Sequence, residues 1–161
     1  MKSDAFKSGV VRAVDVYPYR REREVIEFLL LRRAPDMLYS GTWRMVGGKI
    51  QPGERAWTAA LRELYEETQR SPRRFWTVPS VNSFYEWQYD RVNLIPAFAA
   101  ELNADPVLDQ EHDAFRWLQA EEAAERLAWP EQGRLVRLID KLLRQGLQVT
   151  WRIPLEASEG A

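Results

Sequence analysis

The chain opens with two runs of short period. In GVVRAVDVYPY, Val10, Arg12, Val14 and Val16 alternate with Val11, Ala13 and Asp15, and VIEFLLLRR follows as a denser β-branched and aliphatic run. Alternation at period two is the mark of a strand with one face on a core, so both runs predict strands, joined by the charged connection Arg20 to Glu24. TWRMVGG predicts a short strand ending in a glycine pair, and Pro52 with Gly53 marks a tight turn after it. The period then changes. Between Glu54 and Gln69, the residues Trp57, Ala60, Leu61, Leu64 and Thr68 fall at i, i+3, i+4, i+7 and i+11, which predicts an amphipathic helix lying on a core by that stripe.

Two more strands are expected from RFWTVPSVNSFYEW and DRVNLIPAFAAEL, with Pro79 and Pro96 confined to strand ends, edges or bulges because proline cannot donate to a ladder. DAFRWL predicts a last strand, AEEAAERLAW a short helix, and EQGRLVRLIDKLLRQ a longer one with Leu135, Leu138, Ile139 and Leu142 at helical spacing. The order β-β-β-α-β-β-β-α-α predicts an α+β domain with helices packed on a curved mixed sheet. It lacks the G-x-G-x-x-G and G-x-x-x-x-G-K-[ST] fingerprints of the doubly wound and phosphate-loop folds.

Length and composition narrow the function classes. A chain of 161 residues predicts one domain, taken as residues 1–155 with a loose tail over 156–161. Lys and Arg number 23 against 24 Asp and Glu, so no global field favours bulk nucleic acid as a partner. The absence of Cys excludes disulfides, thiolate nucleophiles and Cys-built metal centres. No segment reads as a signal peptide or approaches the ~18 apolar residues of a membrane span, and the expected location is the cytoplasm. His112 is the only histidine and is expected to be a loop or strand-edge residue rather than a ligand, so catalysis is expected to run on carboxylates.

Those carboxylates are concentrated on the first helix. At 100° per residue, Glu63, Glu66 and Glu67 fall within an arc of roughly 100°, opposite and beside the apolar stripe. Like charges at i,i+3 and i,i+4 destabilise an isolated helix by about 0.2–0.5 kcal/mol per pair. A divalent cation bound by converging hard oxygen ligands would offset this. So would the arginines Arg62, Arg70 and Arg73, in which case the acids form an ordinary solvated face.

GKIQPGERAWTAALRELYEETQR resembles the signature of the Nudix hydrolase family, G-x5-E-x7-R-E-U-x-E-E-x-G-U with U a bulky aliphatic residue. The matching positions are Gly48, Glu54, Arg62, Glu63, Leu64, Glu66 and Glu67, on the loop-helix context the motif requires. The sequence departs at the end of the box, with Gln69 where the family has glycine and Arg70 where it has an aliphatic residue. That glycine acts as a helix C-cap, so the departure concerns the helix exit, for which Pro72 is the expected substitute.

The resemblance implies a Nudix-like α/β/α sandwich and hydrolysis of a nucleoside diphosphate linked to another moiety, assisted by Mg²⁺ or a substituting Mn²⁺. It implies Glu63, Glu66, Glu67 and the Gly48 carbonyl as metal ligands and Arg62 as a group that orients a ligating carboxylate. Glu54 would either join the outer shell or pair with Arg62. Glu111, an acid just before the last strand, is the candidate general base outside the box, an ordinary surface acid near Asp109 and Asp113 being the alternative. Arg44 and Lys49 are the candidate phosphate contacts, with Arg32 and Arg33 further from the box. Trp43, Phe84, Tyr85, Trp87 and Tyr89 are candidates to stack on a flat ring. EHDAFRWL followed by two helices resembles the branch that hydrolyses dATP or dihydroneopterin triphosphate. The expected substrate is a small nucleoside triphosphate cleaved to monophosphate and pyrophosphate, with dinucleoside polyphosphate or nucleoside diphosphate sugar hydrolysis as the alternative. The altered box end motivates a further reading, a nucleotide sensor without turnover. The chain is expected to be a monomer or a homodimer.

Overall fold

The computed structural model describes residues 9–155. The strands are β1 (Gly9–Val10), β2 (Ala13–Glu22), β3 (Val25–Arg33), β4 (Trp43–Arg44), β5 (Val46–Lys49), β6 (Arg74–Glu86), β7 (Arg91–Glu101) and β8 (His112–Leu118). The helices are α1 (Ala56–Thr68), α2 (Ala120–Arg126) and α3 (Pro130–Gln145), followed by a 3₁₀ turn at Val149–Trp151. The predicted loose tail from residue 156 and the residues before Gly9 lie outside the described residues. Among the described residues, no helix is long and apolar enough to cross a membrane.

All eight strands join one mixed sheet. β2 is its hub: it runs parallel to β7 on one side, and on the other it pairs antiparallel with β5 through residues 13–16 and with β3 through residues 19–22. β7 also pairs with β6, and β3 with β4 and β8. The period-two pattern sends alternate residues to opposite faces. Val14, Val16, Leu29, Leu31, Phe98 and Ala100 meet Ala59, Ala60 and Leu64 of α1 on one face. Tyr17, Tyr19, Phe28, Leu30, Ala97 and Ala99 meet Leu135, Val136 and Ile139 of α3 on the other. The result is the expected α+β sandwich, an open sheet between helical layers.

Four local details go beyond the expected pattern. First, β2 continues through Arg20 to Glu22, because Arg20 pairs across the hairpin with Glu27 at 2.9 Å. Only Arg23 and Glu24 remain as the turn, with Arg23 at φ 56. Second, TWRMVGG forms two strands, since the Met45 N–H donates to Gln132 Oε1 at 3.2 Å instead of to a ladder. Third, Pro79 sits in a register shift between Thr77 and Val81, the bulge expected of a strand proline, while Pro96 stands inside β7 opposite Val81. Fourth, the segment after Gly146 is ordered against β6: Trp151 stacks on Trp76 at 6.4 Å, and the Ile153 N–H donates to the Phe75 carbonyl at 2.9 Å.

Candidate active site

β5 and α1 are joined by the short connection of residues 50–55, so the helix returns across the strand it has just left. Gly47 and Gly48 face the acids. A Cβ on Gly48 would collide with the Glu63 carboxyl, so only glycine permits this approach of helix to strand, while one on Gly47 would stand 2.7 Å from the Val14 carbonyl oxygen of the neighbouring strand β2. The three acids do not share one solvated face. Glu66 is exposed, Glu63 is half-buried, and Glu67 is 2% exposed, with Oε2 accepting the Gly47 N–H at 3.0 Å. Burial pushes the Glu67 carboxyl well above its ordinary range, against the opposing pull of the Gly47 N–H and the Arg44 guanidinium. Glu63 is also raised by burial, partly offset by Arg62.

Arg62 organises the rest. Its Nε and a terminal nitrogen form a two-pronged pair with Glu54 at 2.8 and 2.9 Å, and it donates to the Lys49 carbonyl at 3.0 Å. Its other terminal nitrogen reaches Glu63 Oε1 at 2.9 Å and Glu66 at 3.3 Å. Of the two roles left open for Glu54, the structure shows the pair with Arg62, which holds the Glu54 carboxyl down at about 2. A guanidinium gripped this way cannot swing, so Glu63 and Glu66 are held from a fixed point.

The loop before β8 closes the other side. The Ala34 N–H donates to the Glu111 carbonyl at 2.8 Å, and Arg33 stands 3.6 Å from the Glu111 carboxylate. Asp109 Oδ1 lies 2.8 Å from His112 Nδ1, and His112 Nε2 faces Glu67 Oε1 at 3.4 Å. Donor atoms of Glu67, Asp109, Glu111 and His112 all lie within 4.8 Å of one another. The cleft bounded by Gly48, Lys49, Glu63, Glu66, Glu67 and Glu111 measures about 600 Å³. Its donors are hard oxygens converging on a glycine that leaves them room, a set that fits a divalent cation of the Mg²⁺ or Mn²⁺ kind.

A second cavity, of about 580 Å³, has Asp15 in its floor, and Asp15 pairs in register with Gly47 of the cleft. Asp15 Oδ2 accepts from Gln132 Nε2 at 3.2 Å and from Asn82 Nδ2 at 3.4 Å. Burial raises the Asp15 carboxyl, these two donors and Arg44 opposing it. Above the polar floor stand Phe84 and an edge-to-face pair, Tyr39 and Trp129, with ring centroids 5.1 Å apart. The outcome is a slot with aromatic walls and an amide-rich floor.

The NUDIX domain family model matches residues 9–139. This chain is a Nudix hydrolase. A bis(5'-nucleosyl)-tetraphosphatase (asymmetrical) of Caenorhabditis elegans is 30% identical over 138 residues, spanning 83% of this chain and 97% of that protein. The nucleoside triphosphatase NudI of Klebsiella pneumoniae is 26% identical over 67% of this chain and 89% of its own length. Among solved structures, a C. elegans Ap4A hydrolase binary complex superposes with a TM-score of 0.65 at 25% identity, covering 83% of this chain and 99% of that one.

In this Nudix hydrolase the box residues Gly48, Glu63, Glu66 and Glu67 come together, with Lys49 and Glu111, in one cleft. Arg44 and Phe84 line the slot. Trp43 lines neither: pairing of β4 with β3 carries its ring toward α2, under the guanidiniums of Arg32, Arg116 and Arg126. Tyr85, Trp87 and Tyr89 are exposed at the β6–β7 hairpin, where the Tyr85 hydroxyl donates to Asp90 at 2.6 Å. Arg32 is engaged with Asp113 at 2.8 Å. His112 is the first residue of β8, as a strand-edge position predicts, but its side chain is fully buried beside Glu67. Asp15, Tyr39, Asn82, Trp129 and Gln132 were missed by sequence reasoning. The one local signal was the Trp129-Pro130 pair, whose proline starts α3.

Proposed function

We propose that this Nudix hydrolase cleaves the α–β phosphoanhydride bond of a nucleoside triphosphate in a Mg²⁺-dependent reaction, giving a nucleoside monophosphate and pyrophosphate. One observation carries this reading: Asp15 of the aromatic slot pairs in register with Gly47 of the acid cleft, which sets the two sites on adjacent strands, and on this reading one ligand lays a flat base in the slot and its phosphates against the acids. Glu63, Glu66, Glu67 and the Gly48 carbonyl would hold the cation, which supplies charge neutralisation at the phosphates and a more acidic water. Arg62, clamped by Glu54, keeps Glu63 and Glu66 aimed. Arg44 and Lys49 meet the phosphates. Glu111, half exposed at the cleft mouth, accepts the proton of the attacking water as that oxygen bonds to phosphorus and the bridging oxygen leaves with pyrophosphate.

A second reading, hydrolysis of a dinucleoside polyphosphate, is favoured by the tetraphosphatase relative that matches along 97% of its length. The slot is large enough for one nucleoside, and the other would leave the cleft past Glu66 and Lys49. Phosphorus NMR on a panel of nucleoside triphosphates and dinucleoside polyphosphates with Mg²⁺ separates the two. Pyrophosphate as product supports the first reading, and a mononucleotide paired with a second nucleotide replaces it with the second. Glu67→Gln, nearly the same shape without the charge, is expected to lower kcat by roughly 10²-fold or more. If the parent binds nucleotide and turns over no member of the panel, a sensor without chemistry takes the place of both.

A further inference from the structure

We propose that His112 is a metal ligand: its Nε2, with the carboxylate of Glu67, forms a mixed nitrogen–oxygen site for a divalent cation at the back of the cleft, the ring being oriented by Asp109. The inference rests on the reading of Glu67 as a cation ligand.

The first observation is an orphaned atom. The His112 side chain has no accessible surface, and Nε2 is buried without a hydrogen-bond partner. Buried polar atoms in native interiors are nearly always paired, so an unpaired ring nitrogen facing acidic oxygens points to a missing partner. The second is the tautomer. Asp109 Oδ1 at 2.8 Å from Nδ1 accepts the proton there, leaving the Nε2 lone pair directed at Glu67 Oε1, 3.4 Å away. A carboxylate on one ring nitrogen and a metal on the other is the arrangement that orients ligating histidines. The third is spacing. Around an ion with bonds of roughly 2.1 Å, adjacent donors stand about 3 Å apart, so Nε2 and Glu67 Oε1 need little movement to share one. Glu67, Asp109 and Glu111 border the open cleft, which gives an ion a route in.

The surroundings work in both directions. Arg44 and Arg33 face the imidazole from neighbouring strands and oppose a nearby cation. Glu67, Asp109 and Glu111 supply the compensating negative charge. A nitrogen donor alters selectivity rather than mere affinity: imidazole suits Zn²⁺, Fe²⁺ and Ni²⁺ best, and Mn²⁺, the weakest binder of that first-row series, still accepts it more readily than Mg²⁺, which keeps to oxygen. This site is thus expected to prefer Mn²⁺ over Mg²⁺ more strongly than an all-carboxylate centre does.

The test uses the whole untagged chain. Because His112 is the only histidine, biosynthetic labelling with ¹⁵N-histidine marks this one imidazole without any substitution. With one equivalent of Mn²⁺, electron spin-echo spectra are expected to show an imidazole ¹⁴N modulation that is replaced by ¹⁵N in the labelled protein. His112→Gln is expected to abolish it and to weaken Mn²⁺ binding by about 10-fold or more, with Mg²⁺ binding changed much less. Bound Mn²⁺ with no histidine nitrogen coupling overturns the proposal, as does failure to bind Mn²⁺ at millimolar concentration. Nitrogen coupling in a protein that hydrolyses no nucleotide leaves this site standing and removes the hydrolytic reading.

Discussion

At the scale of single residues, the pair between Glu54 and Arg62 has a consequence in acid. Arg62 holds the Glu54 carboxyl down from its ordinary 4.5 to about 2. A carboxyl depressed in the folded state contributes stability that is full above the unfolded value and disappears as pH falls through the folded one. The contribution is therefore present above about pH 4.5 and lost by about pH 2. Glu54→Gln is expected to lower Tm at neutral pH and to make Tm fall less steeply over that acid window. Calorimetric scans of parent and variant across it check this, and parallel curves would count against the pair. Gly48→Ala acts on geometry instead. The added Cβ meets the Glu63 carboxyl, so that side chain must turn away from the cleft. On the proposed reading kcat falls by roughly 10²-fold with helix content unchanged, the scale at which a misplacement of about 1 Å acts. Circular dichroism beside the assay distinguishes this from unfolding. The chemistry of these residues was legible because Gly48, Glu54, Arg62, Glu63, Glu66 and Glu67 stand at fixed spacing in one contiguous segment. Their depth was not. Helical angles give the face on which Glu67 lies, but its burial comes from β5 folding over it.

At the scale of elements, the end of α1 shows how a departure from a motif is absorbed. Gln69, standing where the box has glycine, adopts the left-handed conformation itself at φ 55 and ψ 30, and its N–H bonds to the Tyr65 carbonyl at 2.8 Å. Pro72, the expected stop, lies beyond a helix already ended. A non-glycine residue in that conformation costs about 1–2 kcal/mol, and glycine gives back about 0.4–1 kcal/mol through its freer unfolded chain. The first effect is the larger, so Gln69→Gly is expected to stabilise by about 0.5–1 kcal/mol. In a domain of this size that raises Tm by roughly 1–4 °C, measurable by thermal denaturation, and an unchanged or lower Tm would show that the cap carries no strain. Strand periodicity located β2 and β3 because their alternating faces meet different helical layers. It failed at Met45, where a side-chain amide from α3 takes the backbone N–H and divides one predicted strand into two. That partner is 87 residues away, beyond the reach of any local pattern.

At the scale of the whole molecule, the slot is assembled from segments that no window of sequence holds together. Tyr39 comes from the β3–β4 loop, Asn82 and Phe84 from β6, Trp129 from just before α3, and Asp15 from the central strand. Asp15 reads in sequence as the polar side of an alternating strand, and only the packing of α3 over that face turns it into a buried floor hydrogen-bonded to Gln132 and Asn82. The cleft could be read from one loop and helix, whereas the slot depends on the closure of the sandwich, which is why the first was legible in the sequence and the second was not. The division carries over to kinetics. Trp129 is 37% exposed and packs edge-on against Tyr39, distant in function from the acids. A ring stacked there binds ground state and transition state alike, and such uniform binding appears in KM rather than kcat. Base–aromatic stacking is worth about 1–3 kcal/mol, so Trp129→Ala is expected to raise KM by roughly 5-fold to 150-fold for a nucleoside triphosphate with kcat nearly unchanged. The same variant should leave inorganic tripolyphosphate, which has no base, bound as before. Equal losses of affinity for both ligands would place the defect in the sandwich as a whole and take the slot out of substrate recognition.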